Sequence, residues 1–274
     1  MSQTETTDEN PDLSKERGGF ACKIHGTDLQ DFFKPFAVFV DEMKLQITPE
    51  GFAGRVVDPA NVAMVDKELH KGVFEHYSST GGTLGIDLKR MTSIIGMAKK
   101  SDVIELTLDQ ETRKLEIGFD GLSYTLALID PQSIRKEPDI PDVDLPGEVV
   151  LDTSQFERGI KAVRMVSDHA IIGIKPADDG SSTMYIAGEG DTDDAVLEIA
   201  GQDCIKISPV DEAHESLYSV DYLESVMKAM PKNAELTVEL GDDFPVMINY
   251  HQTDDGQVAE GPTTHMVAPR ISSD

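Results

Sequence analysis

The sequence predicts an α+β fold in which two topologically similar domains each pack two helices on antiparallel sheets. Two observations carry this prediction. A helix followed by alternating strands occurs four times, at a spacing of about 60 to 70 residues, and a proline-rich segment divides these units into two pairs. A chain of 274 residues is also long enough for two domains of ordinary size.

The last of the four units shows the pattern most clearly. Apolar residues recur at helical spacing over Asp221–Met230, where Asp221 is the expected N-cap and Pro231 ends the helix. Apolar and polar residues then alternate over Glu235–Tyr250, with a turn at Gly241-Asp242-Asp243. This unit is therefore predicted to be a helix followed by a hairpin.

The other three units follow the same plan. Their helices are predicted over Thr27–Val40, Asp87–Lys100 and Thr153–Val166, and their strands over Lys44–Val57, Val103–Ile129 and Ala170–Ile199. Pro35 falls inside the first helix, where a proline costs about 3 kcal/mol. That helix is therefore expected to kink or to divide into two short pieces.

Two segments lie outside the repeated units. Residues 1–19 are polar and acidic without periodicity, which predicts a disordered extension. Asp130–Gly147 contains four prolines among alternating charges, which indicates an extended linker at the surface. The predicted organisation is thus a domain at 20–129, a linker at 130–147 and a second domain at 148–274.

The composition is strongly acidic, with 24 Lys and Arg against 51 Asp and Glu and a net charge of -27. Such a chain either binds cations or basic partners, or works in concentrated salt, where the Debye length is about 3 Å at 1 M. We favour the second interpretation because the acids are scattered along the chain. Two cysteines fit a reducing cytoplasm, and no apolar run is long enough for a membrane span.

The few basic residues are concentrated on the predicted helices, which hold nine bases and six acids, whereas the remaining chain holds 15 and 45. Helical geometry turns these bases away from the apolar faces. Taken alone, each helix has the simpler interpretation of a solvated face. Together they predict a surface that follows a phosphate backbone without reading bases. The DNA-facing candidates are Lys34, Lys89, Arg90, Lys99, Lys100, Arg158, Lys161, Arg164 and Lys228.

Motifs for catalysis or metal binding are not evident in the sequence. The seven histidines are dispersed, and the glycine-rich stretch at Gly81–Gly85 lacks the Lys-Ser/Thr ending of a phosphate loop. The G-x-S-x-G pattern of a nucleophile elbow does not occur. We therefore expect no enzymatic activity, no cofactor and no metal.

Six segments together resemble the sliding clamps of archaeal and eukaryotic replication, the proliferating cell nuclear antigen family, and look closest to those of salt-loving archaea. They are VVDPANVAMVD at Val56–Asp66, DGLSYTLALIDP at Asp120–Pro131, PDIPDVDLP at Pro138–Pro146, GEGDTDD at Gly188–Asp194, AELTVELGDDFPVMINY at Ala234–Tyr250 and VAPRI at Val267–Ile271. The resemblance extends over Phe20–Ile271, and the order and spacing of the segments make it specific.

The resemblance implies the DNA clamp fold and a homotrimeric ring whose helices line the hole. Such a ring encircles duplex DNA independently of sequence, after opening by a clamp loader. It acts as a non-enzymatic processivity factor at the nucleoid, in the cytoplasm. It tethers DNA polymerase, flap nuclease and DNA ligase through their PIP-type peptides. The alternative is a divergent clamp paralogue that acts as a subunit of a mixed ring or as a regulator.

The resemblance also implies two contact surfaces. Strand pairing between neighbouring chains would use Ser123, Tyr124 and Thr125 of one chain and Ala195, Val196 and Leu197 of the next. A partner peptide with a glutamine and an aromatic pair would dock under the linker. Its pocket would be formed by Val57, Asp58, Pro59, Met64, Ile140, Pro141, Leu145, Pro245, Met266, Ala268, Pro269 and Ile271. Ordinary core packing is the alternative interpretation of these residues.

Overall fold

The computed structural model describes residues 19–109, 111–139, 145–232, 234–251, 253–254, 257–258 and 261–270. The disordered extension predicted at residues 1–19 lies outside the described residues, apart from Gly19. The same holds for the pocket candidates Ile140, Pro141 and Ile271.

Four α-helices and a set of antiparallel strands make up the described chain, which confirms the predicted α+β class. The helices are α1 Gly26–Ala37, α2 Leu88–Ile95, α3 Thr153–Arg164 and α4 Val220–Ala229. The strands of the first half are β1 Phe20–His25, β2 Glu42–Thr48, β3 Gly51–Val57, β4 Ala63–His70, β5 His76–Ser79, β6 Gly82–Asp87, β7 Val103–Asp109, β8 Lys114–Phe119 and β9 Leu122–Ala127. Those of the second half are β10 Gly147–Asp152, β11 His169–Pro176, β12 Ser182–Glu189, β13 Asp194–Ala200, β14 Lys206–Ile207, β15 His214–Ser219, β16 Glu235–Leu240, β17 Val246–Tyr250, β18 Thr253–Asp254, β19 Gln257–Val258 and β20 Thr263–Val267.

The strands form three principal sheets. The first has the order β5-β1-β7-β8-β9, and the second has the order β13-β12-β11-β15. The third contains nine strands in the order β14-β10-β16-β17-β20-β4-β3-β2-β6. Because β20 pairs with β4, this third sheet runs without interruption from the second half of the chain into the first. The predicted strand segments include the hairpins β2–β3, β7–β8, β11–β12 and β16–β17, but they include neither β4 nor β20 and do not indicate this long-range pairing.

The helices cover the sheets in a single layer. α1 packs against α2, α3 packs against α4, and α1 also contacts α4 across the junction of the two halves. The buried side chains form one core from Phe20 to Leu126 and another from Val149 to Val267. Phe39, just beyond α1, packs against both cores.

Two predicted helix boundaries are wrong for identifiable reasons. The last helix begins at Val220 with Ser219 in the N-cap position, so Asp221 lies in the first turn and is not the cap. The second helix ends at Ile95 and not at Lys100, because Gly96 follows it as the C-cap and the chain then turns. Its N-cap, Asp87, accepts a hydrogen bond from the backbone N–H of Arg90. The third helix begins at Thr153, as predicted, with a capping box between Asp152 and Gln155.

Pro35 lies in α1, which continues as one helix to Ala37, so the expected division into two pieces is wrong. A proline at this position cannot donate to the carbonyl of Asp31 one turn earlier. The ammonium of Lys67 on β4 donates to that carbonyl instead, at 3.1 Å. Lys67 is only 1% exposed. A buried lysine therefore replaces one of the hydrogen bonds that the proline removes.

A second buried polar group lies where β20 joins the two halves. His265 is fully buried, its ring stacks on Tyr250 with centroids 5.7 Å apart, and its Nε2 lies 3.3 Å from the Tyr250 hydroxyl. Burial, with a further contribution from the nearby Lys67 charge, lowers the pKa of His265 from 6.5 to about 3. The imidazole is therefore neutral in the folded protein over the whole physiological range.

We predict that Lys67→Met destabilises the protein by about 1.5 to 3 kcal/mol, since it removes a buried charged donor. In a Pro35→Ala background, the destabilisation caused by Lys67→Met should be smaller by about 1 kcal/mol. The reason is that the restored N–H of residue 35 then donates to the Asp31 carbonyl. Urea unfolding of the four proteins in the cycle measures this difference. Equal costs of Lys67→Met in both backgrounds would show that the lysine does not compensate for the proline.

We predict that His265→Gln makes the protein relatively more resistant to acid. The unfolded chain protonates His265 below pH 6.5, whereas the folded chain does so only near pH 3. The unfolded state therefore binds the extra proton, and folding stability is lost as the pH falls through this window. Between these two pH values, the free energy of unfolding of the wild type should fall by about 1.4 kcal/mol per pH unit relative to that of the variant. The exposed His76→Gln is the control, and a pH-independent difference for His265→Gln would contradict the assignment.

Candidate functional site

All nine DNA-facing candidates are exposed. Seven of them lie on the four helices, whereas Lys99 and Lys100 lie in the turn after α2, contrary to the predicted helix boundary. They come from both halves of the chain, whose helices contact each other through α1 and α4.

A groove of about 480 Å³ lies between α1, α3 and α4. Lys34, Lys161 and Lys228 line it together, so residues predicted on three separate helices meet at one place. Lys232 lines the same groove. Sequence reasoning missed Lys232 because it follows Pro231, where the helical pattern ends. Glu157 and Glu224 also line the groove, so its charge is mixed.

Five of the nine bases form ion pairs with acids of the same chain. The pairs are Lys89–Asp41 at 2.6 Å, Arg90–Asp87 at 3.5 Å, Lys99–Asp120 at 3.1 Å, Lys161–Glu157 at 2.5 Å and Arg164–Asp168 at 3.1 Å. The other four have no ion pair with any residue that the structure describes; they are Lys34, Lys100, Arg158 and Lys228. Because these pairs are exposed, each contributes little to stability.

Arg164 differs from the other bases because it joins two helices. Its guanidinium on α3 lies 2.9 Å from Asp221 and 4.0 Å from Glu224, both on α4. Asp221, which was predicted to be a helix cap, therefore forms an ion pair that connects α4 to α3. Replacing Arg164 would disturb the α3–α4 contact as well as the surface charge, so this residue is a poor probe of the surface alone.

The strands expected to pair between chains are both free along one side among the described residues. β9 is an edge of the five-stranded sheet, and β13 is an edge of the four-stranded sheet. Both carry unusually exposed apolar side chains: Leu122 and Tyr124 are each 38% exposed, and Val196 is 64% exposed. Open edges with apolar side chains favour pairing with another strand.

The expected peptide pocket corresponds in part to a cavity of about 610 Å³ between β2, β3 and the first half of the linker. The candidates Val57 and Pro59 line this cavity, together with Phe39, Val56 and Ile134. Other candidates lie on neighbouring elements. Met64 and Met266 are buried register partners on β4 and β20, and Ala268 and Pro269 follow β20. Pro245 precedes β17, and Leu145 lies against the Gly241 turn.

Asp58 has a different environment from the rest of the expected pocket. Its carboxylate accepts from the backbone N–H groups of Ala60, Val62 and Ala63 and from the Tyr222 hydroxyl of α4, at 2.6 to 2.9 Å. Burial alone would raise the pKa of Asp58, but these four hydrogen bonds hold it below its usual value. Burial and the same carboxylate raise the pKa of Tyr222 to about 12. Asp58 therefore shapes the loop between β3 and β4 and ties it to α4.

No helix among the described residues is long and apolar enough to cross a bilayer. The layer of four described helices on antiparallel sheets, repeated in the two halves of the chain, is the architecture of a DNA clamp. Comparison with known proteins identifies the family. The family model "Proliferating cell nuclear antigen, N-terminal domain" matches residues 24–124.

Relatives from halophilic archaea match almost the whole chain. A DNA polymerase sliding clamp of Natronomonas pharaonis is 48% identical over 238 residues, covering 87% of this chain and 93% of that protein. A DNA polymerase sliding clamp of Haloarcula marismortui is 44% identical over 255 residues, covering 93% of this chain and 100% of that protein. Among solved structures, A. fulgidus PCNA bound to the C-terminal region of FEN-1 superimposes on this chain with a TM-score of 0.84 at 30% sequence identity. The superposition covers 93% of this chain and 100% of the A. fulgidus chain. The chain belongs to the proliferating cell nuclear antigen family of DNA sliding clamps.

Proposed function

We propose that three copies of this chain close into a ring around duplex DNA and tether replication and repair enzymes to it. The observation that supports the proposal most directly is the meeting of Lys34, Lys161 and Lys228 in one groove, since these bases come from three helices and both halves of a chain of net charge -27. Membership of the clamp family supports the same function. In this account the ring catalyses no reaction, and it works on the nucleoid in the cytoplasm.

Ring closure uses the two open strand edges. β9 of one chain pairs with β13 of the next, so that Tyr124 and Val196 are covered and the unpaired backbone groups are satisfied. The interface is heterologous, since different surfaces of each chain meet, and such an interface closes when its rotation completes a circle. Three chains of two domains each then place 12 helices around the hole, from the four in each chain.

The helix layer needs only weak contact with DNA. Phosphate contacts gain affinity by releasing counterions, with a log–log salt slope of about -0.9 per neutralised phosphate. Concentrated salt removes most of this gain. A closed ring retains DNA by topology, so a mixed surface with a few unpaired lysines permits sliding. We assign the principal contacts to Lys34, Arg158, Lys228 and Lys100, which lack ion pairs among the described residues.

Partner enzymes dock at the linker cavity through terminal peptides. The relative from A. fulgidus binds the C-terminal region of FEN-1, which supports tail docking by a flap nuclease here. DNA polymerase, DNA ligase and the clamp loader would likewise insert terminal peptides into the linker cavity. Aromatic anchors in the cavity beside Val57 and Ile134 would provide the binding free energy.

We predict that Lys34→Glu with Lys228→Glu weakens binding to a short DNA duplex and reduces its salt dependence, by about 0.9 in the log–log slope per lost phosphate contact. Fluorescence anisotropy across a salt series measures the slope. Lys71→Glu with Lys114→Glu is the matched control, because it makes the same change of charge on exposed lysines outside the helix layer. Particle mass should be unchanged in both variants. A slope equal to that of the wild type for Lys34→Glu with Lys228→Glu would show that the DNA surface lies elsewhere.

A further inference from the structure

A depression lined by four bases and four acids lies beside β2 and β3, beneath the first half of the linker. It consists of the cavity of about 610 Å³ and an adjoining cavity of about 400 Å³, which share Lys44, Arg55, Lys136 and Glu137. The larger cavity also has apolar lining from Phe39, Val56 and Ile134. The depression thus combines an apolar region with several cations.

Four of the eight charged groups that line the depression have partners among the described residues. Arg55 donates to Asp66 at 2.9 Å, and Arg135 donates to the Asp58 carbonyl at 2.8 Å. Among the acids, Asp41 pairs with Lys89 at 2.6 Å, and Glu137 accepts from Gln46 at 2.8 Å. The acids Glu42 and Asp139 are exposed.

Lys44 stands apart from these engaged groups. It lines both cavities, is half-buried, and has no ion pair or side-chain hydrogen bond with any residue that the structure describes. Acids outnumber bases by more than two to one in this chain, so a half-buried lysine without a carboxylate partner among the described residues is unexpected. Concentrated salt screens exposed charges over about 3 Å at 1 M but screens partly buried pairs much less. Lys44 is therefore placed to discriminate between ligands even at high salt.

We propose that the depression receives a client peptide with a carboxylate next to its apolar anchor, and that Lys44 selects that carboxylate. This inference rests on the proposed tethering of client peptides. The occupant is a peptide and not DNA, because Lys44 alternates on β2 with the buried Met43 and Leu45 and so lies on the face of the sheet away from the core, and because the depression has apolar lining. An Asp or Glu in the peptide forms a charge-assisted hydrogen bond with the ammonium, whereas Asn or Gln leaves the lysine charge uncompensated.

The test is a double-mutant cycle between the protein and a synthetic peptide. The peptides contain a glutamine and an aromatic pair, with Asp or Asn substituted in turn at each neighbouring position. Titration calorimetry in molar salt measures binding to the wild type and to Lys44→Gln. At one position the Asp peptide should bind the wild type roughly tenfold more tightly than the Asn peptide. The Lys44→Gln protein should bind the two peptides equally.

Two further variants separate selection from a general effect of charge or folding. Lys44→Arg keeps the cation and should keep the preference for Asp. Lys136→Gln removes an exposed cation of the same depression and should also keep it, since exposed charge is screened. Equal binding of Asp and Asn peptides to the wild type at every position, or a preference that persists in Lys44→Gln, would overturn the selection by Lys44. Failure of every peptide to bind would overturn the proposed tethering as well.

Discussion

The pairing of β20 with β4 is the constraint on which the arrangement of the rest depends. These two strands come from opposite ends of the chain, and their hydrogen bonds merge the sheets of both halves into one nine-stranded sheet. Because α1 and α4 pack on either side of this junction and contact each other, four helices form one layer. The buried His265 and Lys67 lie at the same junction. A polar junction of this kind tolerates no slip in register, since a slip would expose or unpair both groups.

The electrostatics of the helix layer follow from the acidity of the chain. More than half of its candidate bases are engaged by carboxylates, and Arg164 links α3 to α4 through Asp221 and Glu224. These exposed pairs contribute little to stability, but they engage cations that would otherwise contact phosphate, and those of Arg164 also connect two helices. A surface so nearly neutral would bind DNA poorly if affinity alone retained it. A ring resolves this difficulty because its hold on DNA is topological, and weak contact then allows movement along the duplex.

Sequence periodicity predicted the fold class and most elements because helices and hairpins are local. It could not predict the β20–β4 pairing, since the partners lie far apart in sequence and leave no shared pattern. It placed Asp221 at a helix cap because Asp is a good cap, but the chain uses Ser219 there. The solvent-exposed faces of the helices could be predicted from the spacing of apolar residues. Lys34, Lys161 and Lys228, which were predicted on such faces, do meet in one groove. The ion pairs that engage Lys89 and Arg164 depend on tertiary neighbours, and so does the isolation of Lys44.

In the proposed ring, the open edges β9 and β13 of neighbouring chains pair with each other. The most direct measurement is the particle mass of the wild-type protein in molar salt, by light scattering coupled to gel filtration. We expect a single species of about three times the 29.9 kDa of one chain, at micromolar concentration. A single species at the mass of one chain under the same conditions would contradict it.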